Sequence, residues 1–176
     1  MYQVNDVILY RGTGVCEITA LTEKRFGDQT QECYALVPLY LNNLTIFVPH
    51  SLEHRMTALR NEEEITGSLE KLSELDTLWI SDVHARRRKY RELLLDGTQD
   101  EVLQVLKTLY LAKQRRHFRG NKGGLCISDD HLYHDCKRIL SEELASASDC
   151  TFTQAEERLN AYVESALKPL LLEKMA

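Results

Sequence analysis

Long apolar runs are absent from this chain. None approaches the roughly 18 residues that a membrane-spanning helix needs, which excludes a helical membrane protein. The opening MYQVNDVILY has neither the basic nor the apolar section of a signal peptide and reads as the start of a strand. The five cysteines are odd in number and include no CxxC pair, so a disulfide framework is disfavoured. Free thiols and the lack of a leader predict a cytoplasmic protein. Catalytic signatures are missing as well: there is no P-loop, no GxSxG and no HExxH. Gly12-Thr-Gly14 lacks a third glycine and runs into a strand, so it cannot set a phosphate on a helix N-terminus. The carboxylates fall at the spacing of helix surfaces and single out no acid–base pair. The sequence therefore predicts no enzyme, no cofactor and no small-molecule substrate. It has no internal repeat and no low-complexity segment.

What is present is a core-forming composition, 43% hydrophobic and 28% charged over 176 residues, enough for one ordinary domain or two small ones. The net charge of −5 conceals an asymmetry. Residues 1–60 balance at −1, residues 61–83 at −6 and residues 123–176 at −5. Residues 84–122 hold 11 basic against 4 acidic side chains, +7. A basic stretch inside an acidic protein is a candidate surface for phosphates, and a solvated helix face gives the same run of charge.

The hydrophobic period divides the chain in two. Over residues 1–60, Val7-Ile-Leu-Tyr10, Val15–Leu21, Cys33–Val37, Leu44–Val48 and Thr57–Leu59 read as short strands between tight turns. Cys16, Ile18 and Ala20 alternate with Glu17 and Thr19, which predicts one apolar face. Five short strands in so little chain suggest a small, strongly bent sheet or SH3-like barrel. From about Glu62 the period becomes helical through residue 176. Thr98-Gln-Asp-Glu101 and Thr153-Gln-Ala-Glu156 both fit a capping box. Another helix is expected to begin near Trp79, capped by Asp76 or Ser81, and one more near Ser128. The last apolar stripe is Leu159, Tyr162, Val163, Ala166 and Leu167, with Pro169 expected to kink or end its helix. The predicted class is α+β: a small β-barrel at 1–60, then an all-helical domain at 61–176.

Two clusters are candidate sites. In CISDDHLYHDC, residues 126 to 136, His131 and Asp135 lie one helical turn apart, as metal ligands often do, and Cys126 or Asp130 would complete a set. Cys136 instead continues the apolar stripe of Leu132, Ile139 and Leu140, so the structural reading is preferred and no metal is predicted. The second cluster joins the only tryptophan to the basic residues. Arg86, Arg87, Arg88, Lys89 and Arg91 follow Trp79, while Lys113, Arg115, Arg116, His117, Arg119 and Lys122 gather at the end of the next helix and in the glycine-rich loop after it. A helix hairpin closing at Gly97 would bring both groups around Trp79 only if its two helices run antiparallel. Arginines on phosphates and a large apolar side chain pressed into the minor groove at a distorted step would make a DNA-binding surface. Equally, Trp79, Val83 and Tyr90 share one helical face, which would place the tryptophan in the core.

Four segments carry a family resemblance. YQVNDVILYRGTGVCEI resembles the opening of the CarD-like bacterial transcription regulators, with Arg11 where proline is usual. LTIFVP at 44–49, LLLDGTQDEVLQVLKTLYLAKQRR at 93–116 and DDHLYHDCKRILSEELA at 129–145 are similar to later motifs of that family, in the same order. The resemblance implies a Tudor-like N-terminal domain that docks on the RNA polymerase β subunit, related to a module of the transcription–repair coupling factor. It also implies a helical domain on promoter DNA, where a tryptophan wedge stabilises the open complex. Trp79 looks like that wedge, with Arg86–Arg91 as its phosphate support, and Lys24, Arg25, Thr45 and Phe47 fall on the implied polymerase face. Such a protein works in the cytoplasm, on the nucleoid through RNA polymerase. The alternative is a protein–protein adaptor with an SH3-like module and no DNA contact; a buried Trp79 favours the adaptor, an exposed one the DNA reading.

Overall fold

A computed structural model of the chain describes residues 1–118 and 125–173. Five strands come first: β1 (Val7–Tyr10), β2 (Gly14–Phe26), β3 (Gln29–Pro38), β4 (Ile46–Pro49) and β5 (Met56–Ala58). They form one antiparallel sheet in the order β4-β3-β2-β1-β5. The edge strands β4 and β5 are joined by a 3-10 segment, His50–Arg55, and share no ladder. The sheet is therefore open where closure into a barrel was expected. Both strand faces carry apolar residues because both are covered. Ile8, Cys16, Ile18, Leu36, Val48 and Met56 fill a core on one face, while Leu9 and Val15 on the other pack against Ile139 of a later helix. The predicted alternation is broken at one point. A register shift between Ile18 and Ala20 turns Ala20, now opposite Ala35, out of the row that Cys16 and Ile18 begin.

The change of period falls where the sequence places it, between β5 and α1 (Glu62–Glu70). Asn61 and Glu64 form a reciprocal capping box at the start of α1. Then follow α2 (Val83–Asp96), α3 (Gln99–Phe118), α4 (Ile127–Ser148) and α5 (Phe152–Glu173). Thr98 and Glu101 cap α3 as expected, each accepting from the other's backbone N–H at 3.3 and 2.6 Å. At α5 the box lies two residues earlier than predicted. Thr151 and Gln154, not Thr153 and Glu156, exchange the capping bonds, at 3.0 and 3.3 Å. Nor does Pro169 end α5, which continues to Glu173. Ala155, Leu159, Val163, Leu167 and Leu171 line the buried face of α5 at four-residue spacing, so this last helix completes the helical core.

The sheet is fastened to α4 by buried polar groups as well as by Ile139. The Glu142 carboxylate, 1% exposed, accepts from the Val15 backbone N–H at 3.0 Å and from Arg138 at 2.6 Å. Burial holds its pKa above the ordinary carboxylate value, and Arg138 offsets part of that rise. Next to it Glu143 is equally buried and takes a two-pronged contact from Arg60, at 3.0 and 2.6 Å. Only glycine fits at position 14. Its φ is +124°, and an added Cβ would lie 1.8 Å from a Glu142 carboxylate oxygen. Arg55 and Asp96 form a further pair between the two parts, at 2.7 Å. Among the described residues, no helix is long and apolar enough to cross a membrane.

Candidate nucleic-acid interface

The surface around Trp79 is built by α2 and by the segment that leads into it. Helix α2 starts four residues later than expected: Asp82 accepts from the Ala85 N–H at 2.7 Å, and residues 74–82 stay outside the helix. Neighbouring helices account for this. The Lys107 ammonium of α3, 4% exposed, donates to the carbonyls of Ser73 and Leu75. Thr108 accepts from the Leu78 N–H at 2.8 Å, and the buried Tyr90 hydroxyl donates to the Leu78 carbonyl. These partners meet backbone groups that a helix would have paired within itself, so the segment runs as a strap across α2 and α3. Burial pushes the Tyr90 phenol up to about 12, and it remains a donor at any ordinary pH.

On that strap Trp79 is 45% exposed, where a shared helical face with Tyr90 would have buried it. One face of its indole rests on the Arg86 guanidinium, 4.3 Å from the ring centroid. Arg86 departs from the expected phosphate support. It is 2% exposed and bonds Asp129, itself 1% exposed, at 2.6 Å. It also donates to the carbonyls of Ile80 at 2.6 Å and Ser81 at 3.3 Å. Those bonds to Asp129 hold the guanidinium above its already high ordinary pKa, so it stays charged. The rest of the α2 cluster faces water. Arg87, Arg88 and Arg91 are exposed and make no hydrogen bond or ion pair among the described residues, whereas Lys89 is paired with Glu92 at 2.7 Å.

The second basic group comes close to the first through α4. Arg86 reaches Asp129, and Lys113 reaches the adjacent Asp130 at 3.1 Å. Lys113 is thus partly neutralised, while Arg115 is exposed. The side chains of Arg116 and His117, and the whole of Arg119 and Lys122, lie outside what the structure describes. His131 and Asp135, the candidate metal pair, line a cleft of about 720 Å³ together with Arg87 and Arg91, whose positive charges oppose a metal cation there. Among the described residues no three His, Cys, Asp or Glu side chains converge on a metal position.

On the sheet, Lys24 lies over the Phe47 ring with its ammonium 4.1 Å from the centroid. Thr45 is exposed just before β4. Arg25 turns away, since neighbours on a strand point to opposite faces, and bonds the Gly27 carbonyl at 3.0 Å in its own hairpin. Lys24, Phe47 and Thr45 thus sit where strands β2 and β4 flank β3, and Arg25 does not join them.

Residues 2–60 match the model of the CarD-like/TRCF RID domain. The N-terminal module belongs to that family. Its match spans the whole sheet, from before β1 to just past β5. RID domains are protein-interaction modules that bind the β subunit of RNA polymerase, and the match points to a transcription-related role. The helices from α1 onward lie beyond the matched residues. No curated protein matches the chain.

Sequence reasoning named Trp79 and the arginines of α2 but not the groups that hold the strap and Arg86. Tyr90, Lys107, Thr108 and Asp129 each carry a buried polar group toward the strap or Arg86. A signal existed for two of them: Lys107 and Thr108 are polar residues inside the apolar run of α3.

Proposed function

We propose that the chain is a transcription regulator that bridges RNA polymerase and promoter DNA. In this reading residues 1–60 bind the polymerase β subunit, with Lys24, Phe47 and Thr45 in the contact, and residues 61–176 bind DNA. Trp79 is the wedge, entering the minor groove at the upstream edge of the melted region. Arg87, Arg88, Arg91 and Arg115 hold the flanking phosphates. The observation that carries the proposal is a half-exposed tryptophan just ahead of a helix with three exposed arginines that have no partner among the described residues. A tryptophan in the core would have favoured a plain adaptor.

The mechanism is additive. Docking on polymerase raises the local concentration of DNA seen by the helical part, so weak contacts suffice. The wedge favours the melted promoter because it meets a distorted junction better than straight duplex, and only such a difference in affinity shifts the equilibrium. Four phosphate contacts would give a salt slope of roughly −3 to −4 for the helical part on duplex DNA. The test is open-complex lifetime on a promoter with purified bacterial RNA polymerase. The wild-type protein is expected to lengthen it, and a folded Trp79→Ala protein to lose most of that effect. Equal lifetimes with both proteins would refute the wedge.

A further inference from the structure

We infer that Arg86 is a positioning residue, which fixes the Trp79 indole from beneath, and is not one of the phosphate ligands; this rests on reading Trp79 as the wedge. Four observations support it. Arg86 and its partner Asp129 are 2% and 1% exposed, so the guanidinium does not reach a phosphate on the surface. Its donors are already engaged: Nε and Nη2 with the Asp129 carboxylate at 2.6–3.2 Å, Nη1 with the Ile80 and Ser81 carbonyls. Those carbonyls are the two that follow Trp79 in the strap, so Arg86 grips the chain beside the ring as well as stacking 4.3 Å beneath it. On the other side of Trp79, the Leu78 backbone is held at both its N–H and its carbonyl, by Thr108 and Tyr90. The indole is therefore anchored before it, after it and under one face, and the residue is still 45% exposed.

The anchoring matters because a wedge that moves freely must be ordered when it binds, at a cost in affinity. A plane set in advance avoids much of that loss. Arg87, Arg88 and Arg91 have the opposite character: exposed, without partners among the described residues, and suited to charge neutralisation at a phosphate. The cluster thus divides into one residue that shapes and three that bind.

Salt dependence separates these roles. Losing a phosphate contact lowers the slope of log affinity against log salt by roughly 0.9, whereas losing a positioning contact lowers affinity equally at every salt concentration. The experiment compares the full-length wild type with Arg88→Ala and with the double variant Arg86→Met, Asp129→Leu. Replacing both buried charges by apolar side chains of similar size is often neutral for stability, and thermal unfolding checks that it is here. Arg86→Lys gives a second comparison in which the buried charge is kept but the fork is lost.

Because Trp79 is the only tryptophan, time-resolved fluorescence anisotropy of the free protein reports its motion directly. The double variant is expected to gain a fast anisotropy component. It should shorten the open complex roughly three- to tenfold and leave the salt slope of duplex binding unchanged. Arg88→Ala should do the reverse, with unchanged anisotropy and a smaller slope. Unchanged anisotropy in the folded double variant, or a slope reduced by about 0.9, overturns the inference. The Trp79→Ala lifetime tests the wedge separately, so failure of that reading is distinguishable from failure of this one.

Discussion

Gly14→Ala probes the fastening of the sheet to the helices, and its effect can be worked out in parts. A left-handed backbone costs a non-glycine residue about 1–2 kcal/mol, and Gly14 has φ +124°. In addition the new Cβ would lie 1.8 Å from the Glu142 oxygen that accepts the Val15 N–H, so the carboxylate must withdraw. Losing a hydrogen bond to a charged, buried group adds about 1.5–3 kcal/mol. Together these give about 2.5–5 kcal/mol, a large share of the 5–15 kcal/mol typical of a folded protein. Gly27→Ala is the control, because its φ is +61° and nothing lies within 4 Å of the added atom. It should lose only the backbone part. Urea unfolding of both variants and the wild type, with equal m-values, measures the difference. Equal losses would show that Glu142 does not hold the sheet and would refute the reasoning.

Leu159 is fully buried in the helical core, and its truncation to alanine should cost about 2–5 kcal/mol by chemical denaturation; a loss below 1 kcal/mol would mean that α5 is not docked as described. Thr151→Ala should cost about 1 kcal/mol as loss of an N-cap, and Thr153→Ala close to nothing; the reverse order would restore the capping box first expected from the sequence. Burial holds Glu142 above its ordinary value near 4.5, so the folded state binds that proton more tightly than the unfolded chain. Its contribution to stability is therefore greatest below that value and declines as pH rises through the folded one. Glu142→Gln removes this slope, and superimposable pH–stability profiles for variant and wild type would contradict the assignment.

The strands, the switch to helices near residue 60 and the cap at Thr98 were legible because each depends on neighbours in sequence. The strap was not. Thr108 holds Leu78 from thirty residues away, and nothing local tells the chain to stay out of a helix at Trp79. The same limit hid Arg86. In the run from Arg86 to Arg91 every charge looks alike, and only the position of Asp129 on another helix decides which one turns inward. At α5 two threonines offered similar boxes, and the stripe from Ala155 to Leu171 fits a helix capped at the earlier one. Barrel closure failed for a related reason: alternation predicts strands and faces, not which edges meet.

Helix α4 touches both ends of the molecule. Asp129 near its start holds the arginine under Trp79, and farther along Glu142 holds the sheet and Glu143 holds Arg60 just past it. Glu142 lies thirteen helical steps beyond Asp129, a rise of about 20 Å. The chain is in that sense a caliper, with one jaw on the sheet and the other at the indole, and the gap between them is set by counting residues. Adding a helical turn between those carboxylates would move one jaw by about 5 Å without altering either. Whatever the two surfaces grip, they grip at a fixed separation.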